Sequence, residues 1–362
     1  MKKMMNWMAM AMLFVCPLFT SCDDGDDDNT TNPVEKSVIA NKKSDKAMLL
    51  CTFGSTYQES IKTYDAVMSD FKKAFPDYDI YLSFTSATCV NRVLAATGIE
   101  RHGPSDWLSA FGNAGYKKVA VQSLHVIPGE EYLSLMNTKV KKDFMIEGFP
   151  KVEVAKGACL LETDDDIKVV GGILFDAYKD VLKDPKNIVL FMGHGNPEDS
   201  YSHANDQYSN LEKAMQVKTA GKNNVFVGTV DYGDMLFFEE GSEECIYAKL
   251  KAYEKATGYK ASDITIYLAP LMSIAGDHAH NDMWGLEEGD DFSQAVPQGE
   301  ACWRLKLKKM GYNINEKESH HGSVDACTIK GLGDYAGIRQ VWLKHMQEQI
   351  NAGNWATGED YQ

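Results

Sequence analysis

A duplicated pattern of strand, glycine-bearing turn and helix constrains this chain more than any other feature. The segment LLCTFGST (49–56) is echoed by VLFMGHGN (189–196), each an apolar run that turns through glycine into a polar loop. KKVAVQSLHVIPGEEY (117–132) is likewise echoed by SDITIYLAPLMSIAGDHA (262–279). The two copies keep similar lengths: Gly54 to Leu124 spans 70 residues and Gly195 to Leu271 spans 76. Strands are predicted at 47–53, 79–84, 118–124, 152–155, 187–192, 224–228 and 263–269, with helices at 58–75, 89–97, 105–114, 129–143, 165–183, 206–216, 242–257, 297–310 and 335–351. No strand alternates strictly between apolar and polar residues, as expected when both faces of a parallel sheet are covered. The expected fold class is α/β, with two similar lobes, each a parallel sheet flanked by helices, and a cleft between them. The lobes are expected at 46–160 and 161–352, with the last helix returning to the first lobe and residues 353–362 forming a tail.

Ligands of open parallel sheets bind beyond the carboxyl ends of the strands. Ser55, Thr56, His125, Glu130, Glu131, His194, Asp231, Asp277, His278 and His280 all lie in such places. His194 stands between two glycines in FMGHGNP, which leaves its imidazole unobstructed. His194 and His278 are expected to meet across the cleft, one from each half of the doubled chain. Asp231, after the strand between them in sequence, is the natural third ligand, because two imidazoles and one carboxylate suit a first-row divalent ion. His280 and Asp282 are candidates to orient His278. His320 and His321 read as surface residues, and His102 and His345 belong to no constellation.

Other chemistries lack their signatures. No GxGxxG follows a strand, and neither GxxxxGK[ST] nor GxSxG occurs. No organic cofactor is expected. The formal net charge of −15, with no Lys/Arg-rich run, disfavours nucleic acid as a partner. Six body cysteines, at 51, 89, 159, 245, 302 and 327, have neither CxxC nor zinc-ribbon spacing and are expected as buried thiols.

The first 22 residues combine Lys2 and Lys3, a short apolar segment, and small residues before Cys22. This reads as a signal peptide of lipoprotein type, with Cys22 carrying lipid. DDGDDDNTTNP follows, and residues 23–45 are expected to form a disordered acidic tether. The body is therefore expected outside the cytoplasm, lipid-anchored in the periplasm or at the outer-membrane surface.

FGSTYQES, FPDYDIYLSFTS, AVQSLHVIPGEEY, FMGHGNP, VFVGTVD, APLMSIAGDHAHNDM and KGLGDYAGIR together resemble, in that order, the anaerobic sirohydrochlorin cobaltochelatases over roughly residues 46–350. The resemblance implies a chelatase-like fold with a tetrapyrrole held between the lobes. It also implies that His194 and His278 bind the metal and help take the pyrrole protons. Asp231 stands where the family usually has glutamate, and Glu131 matches an acidic active-site position. The implied reaction inserts Co²⁺, with Fe²⁺ as a second candidate, into sirohydrochlorin, as in anaerobic cobalamin biosynthesis. An exported tetrapyrrole- or metal-binding lipoprotein serving haem or corrinoid uptake stays open as an alternative, as does removal of metal from a captured macrocycle. Oligomeric state, including a homo-oligomer, is also open.

Overall fold

Seven long apolar runs become the strands of two parallel sheets in the computed structural model, which describes residues 32–197, 201–233, 235–236, 245–285, 302–315, 318–320 and 327–361. The signal segment with Cys22, residues 23–31 of the acidic segment, the insert over 286–301 and His321 lie outside the described residues. The first sheet contains β1 (Lys46–Thr52), β2 (Asp79–Phe84), β3 (Lys118–Ser123) and β4 (Glu153–Gly157), in the order β2-β1-β3-β4. The second contains β5 (Asn187–Gly193), β6 (Val225–Thr229), β7 (Thr265–Pro270) and the short β8 (Asn313–Ile314), in the order β6-β5-β7-β8. Every ladder in both sheets is parallel. The same strand permutation occurs twice, so the sequence duplication is a duplication of topology. A further parallel pair, β9 (Glu318–His320) with β10 (Cys327–Ile329), follows the second sheet and was not expected.

Ten α-helices are described: α1 (Pro33–Asn41), α2 (Gln58–Ala74), α3 (Ala87–Thr97), α4 (Pro104–Asn113), α5 (Glu130–Leu133), α6 (Asp164–Tyr178), α7 (Ser202–Gln216), α8 (Ile246–Thr257), α9 (Trp303–Lys309) and α10 (Ala336–Asn351). The helix predicted over 129–143 is longer, because α5 widens into a π-helical stretch, Ser134–Gly148. Buried side chains of both sheets, among them Met48, Leu50 and Ala120 from the first and Val189, Phe191 and Val225 from the second, join one continuous core. All described residues accordingly belong to one compact unit.

The acidic tether expected over 23–45 is corrected at its end. Residues 33–41 form α1, where the Asn32 side chain accepts the Val34 N–H at 3.0 Å and Pro33 occupies the first turn. Val34 and Val38, one helical turn apart, are buried in a cluster with Leu108 and Phe111 of α4. Lys42 then donates to the carbonyls of Ala114 and Gly115, at 3.0 and 3.2 Å, just past the end of α4.

The last helix, α10, packs on β4, β3, α2 and α6. His345 on this helix and Asp166 on α6 are buried and 2.9 Å apart. Asp166 also closes a reciprocal cap with Thr163, so this histidine serves the frame. Beyond α10, Ala356 pairs with Val154 in an antiparallel bridge, which fastens the end of the chain to β4. Cys51, Cys89, Cys159, Cys245 and Cys302 are buried free thiols. Among the described residues no helix is long and apolar enough to cross a membrane.

Candidate functional site

The strand order places β6, β5 and β7 side by side, and the segment after each carries one polar residue of the cluster. Asp231 follows β6, His194 follows β5, and His278 opens the π-helical turn His278–Trp284 after β7. One ligand atom from each of the three lies within 4.8 Å of the other two. The two imidazoles meet edge to face, with ring centroids 4.8 Å apart, and His194 Nε2 is 3.5 Å from Asp231 Oδ2.

This corrects one expectation. His194 and His278 do not come from opposite halves of the doubled chain; all three residues rise from the C-terminal sheet. Adjacent parallel strands are in register here, so their loops start at one level, and β5 and β7 flank the point where the order of winding reverses.

Local hydrogen bonds set the tautomer of both imidazoles. His194 Nδ1 is 2.9 Å from the Gly195 carbonyl and His278 Nδ1 is 2.7 Å from Asp282 Oδ2. A carbonyl or carboxylate oxygen only accepts, so each Nδ1 carries the proton and each Nε2 keeps its lone pair for a metal. Burial favours neutral His278, but the hydrogen bond to Asp282 and the charges of Asp282, Asp231 and Asp277 outweigh it and hold its pKa above the ordinary histidine value.

The loop carrying His194 requires its glycine. Gly195 has φ +94°, and a Cβ there would overlap the Tyr232 backbone. The close approach seats the Asp231 loop against the His194 loop, where Asp231 N–H donates to the His194 carbonyl at 3.1 Å.

His194 and His278 stand on one wall of a cavity of about 580 Å³, within the size range of small-molecule sites, and Asp231 stands beside them. The first lobe supplies the other side, including Phe53, His125, Glu130 and Glu131. Glu131 lines this cavity at its exposed side, apart from the three-residue cluster. His125 is buried, with Nδ1 2.8 Å from Ser123 Oγ, and burial pushes its pKa down to about 4. It is therefore a neutral polar group of the cavity rather than a base for neutral pH.

Several residues sit elsewhere than expected. Asp282 orients His278, whereas His280 is buried and stacks on Tyr57 of the first lobe at 3.9 Å. His203 is exposed on α7 beside Asp206. Ser55 is buried and accepts from Ser60 Oγ. Asn196 was overlooked, although it stands in the quoted FMGHGNP. Its Oδ1 accepts the Glu130 N–H at 2.8 Å, tying the His194 loop to the facing lobe, and Gly129 leaves the room for it. Arg92 was overlooked too; it reaches from α3 to Asp277 Oδ2 at 2.7 Å.

A doubled α/β fold with a two-histidine, one-carboxylate set beside its cleft fits a protein of the metal-chelatase class. More particularly, residues 46–351 match the cobalt chelatase (CbiK) family, and the chain belongs to it. It is 27% identical over 307 residues to the sirohydrochlorin cobaltochelatase of Salmonella typhimurium, covering 84% of this chain and 97% of that protein. It is 26% identical over 313 residues to sirohydrochlorin cobaltochelatase CbiKC of Nitratidesulfovibrio vulgaris, covering 85% of this chain and 91% of the relative. In fold it is similar to SirB from Bacillus subtilis with Fe3+, at a TM-score of 0.50 and 13% identity, over 84% of this chain and 94% of that one.

Proposed function

We propose that this protein is a sirohydrochlorin cobaltochelatase, inserting Co²⁺ into the macrocycle within the cleft. Family membership supports the reaction class. The observation that carries the reading for these residues is the convergence of His194, Asp231 and His278, each histidine held through Nδ1, at a cavity that the two histidines line.

Metallation exchanges two pyrrole N–H protons for one M²⁺, so the site must release the ion and accept protons. His194, Asp231 and His278 hold the metal substrate through two nitrogens and one oxygen, short of a closed four-ligand cage. Coordination positions stay open for the macrocycle nitrogens. As the ion leaves, each Nε2 regains its lone pair and can take a pyrrole proton. Asp282 offsets the charge of protonated His278 through Nδ1. Glu131, on the facing lobe, adds negative charge that favours M²⁺ entering and protons leaving. Fe²⁺ suits the same nitrogen and oxygen donors and is the second metal to test.

Incubating the purified chain with sirohydrochlorin and Co²⁺ or Fe²⁺, and following macrocycle absorbance, tests the reading. Catalytic turnover supports it; stoichiometric binding of the macrocycle without metal insertion overturns it in favour of a binding role.

The protein acts outside the cytoplasm in this reading, held by lipid on Cys22. The support is the Lys2–Lys3 start, the apolar segment and the small residues before Cys22. Mass spectrometry of the membrane-extracted N-terminus should find a diacylglyceryl cysteine; an unmodified Met1 on a soluble chain would remove this part of the proposal.

A further inference from the structure

The cavity carries a mismatch of charge. Glu130, Glu131, Asp277 and Asp282 line it, and among the described lining residues Arg92 is the single lysine or arginine. An acidic cleft suits an incoming divalent cation. It opposes a macrocycle whose rim carries acetate and propionate groups, ionised at neutral pH. A cation would complement that rim, and among the described lining residues Arg92 offers one.

The position of Arg92 fits the task. It projects from α3 in the first lobe, and its NH1 donates to Asp277 Oδ2, next to His278 in the second. The pair therefore links the two lobes along the lining of the cavity. Its side chains are 59% and 35% exposed. So open an ion pair adds little to stability, which is little reason for a fold to hold it there. A guanidinium presents five N–H donors in a planar fork, and only NH1 is engaged by Asp277, leaving donors for a second carboxylate.

We propose that Arg92 is a substrate-carboxylate receptor, parked against Asp277, and that an acidic side chain of the tetrapyrrole takes its fork on binding. Asp277 then acts as a competitor that sets affinity, keeping product release from becoming slow. The inference rests on the chelatase reading above.

The test uses the full chain with sirohydrochlorin and Co²⁺, circular dichroism confirming that each variant is folded. Turnover by the wild type is the control, and its absence would defeat the chelatase reading itself. With turnover present, Arg92→Gln should raise the KM for sirohydrochlorin about tenfold while kcat changes by less than about twofold, the signature of lost uniform binding. Arg92→Lys should recover part of the loss. Asp277→Asn should lower KM, and the double variant should behave like Arg92→Gln. The difference between wild type and Arg92→Gln should shrink as salt is raised. A wild-type KM in folded Arg92→Gln overturns the inference alone. So does a KM that rises as much in Asp277→Asn as in Arg92→Gln, the pattern of a purely structural clasp.

Discussion

His278 is tied through Nδ1 to Asp282 Oδ2 at 2.7 Å, one turn further along the same π-helical segment. The contact decides which nitrogen faces a metal, since a carboxylate accepts the Nδ1 proton and leaves Nε2 bare. His194 reaches the same tautomer by another route, through the carbonyl of Gly195. Two unrelated local devices thus prepare the two imidazoles alike.

His194→Ala and His278→Ala should each weaken Co²⁺ binding at the cleft by more than about a hundredfold, beyond the range for loss of an orienting partner. Calorimetry on the folded variants reads this directly, and an unchanged affinity in either would remove that residue from the metal set. Asp231→Glu should keep activity, because the longer acid preserves charge and donor atom.

Asp282→Asn should cost about 10–100-fold in metal affinity while leaving all three proposed ligands in place. The amide bonds Nδ1 more weakly and no longer offsets the imidazolium. The pKa of His278 should fall at the same time, since the hydrogen bond and charge of Asp282 are among the causes that raise it. An NMR titration of the imidazole checks the sign; a raised pKa would contradict this account of the turn.

Burial of His125 links stability to pH. Its folded pKa, about 4, lies below the unfolded value near 6.5, so the unfolded chain binds the proton more readily. The stability from neutral His125 is fully present above pH 6.5 and is lost as pH falls from there towards 4. The loss amounts to at most about 3 kcal/mol, from the pKa difference. Denaturant unfolding of wild type and His125→Gln between pH 7 and 4 should give a shallower pH slope for the variant, and equal slopes would count against the assignment.

Gly195→Ala should damage both loops at once. The new Cβ meets the backbone of Tyr232 at a positive φ, so the expected cost is about 2 kcal/mol or more in stability. Metal affinity should drop with it, because Asp231 and His194 are seated by that contact. A variant with wild-type melting temperature and metal affinity would show that the close approach is dispensable.

Much of this protein was written locally. Apolar runs without alternation announced buried parallel strands, and the echo of LLCTFGST in VLFMGHGN announced the doubled topology. The residues His194, Asp231 and His278 were marked by their places at strand ends, a property of chain-local pattern. What tertiary structure decided was which neighbours they have. The order β6-β5-β7 puts all three on one sheet, since strand order depends on how helices cross over and not on any one segment. The Asn196–Glu130 and Arg92–Asp277 contacts join residues far apart in sequence, so no spacing rule could disclose them. The helix at 33–41 was hidden for a similar reason: its two buried valines acquire a partner only once α4 is folded beside them.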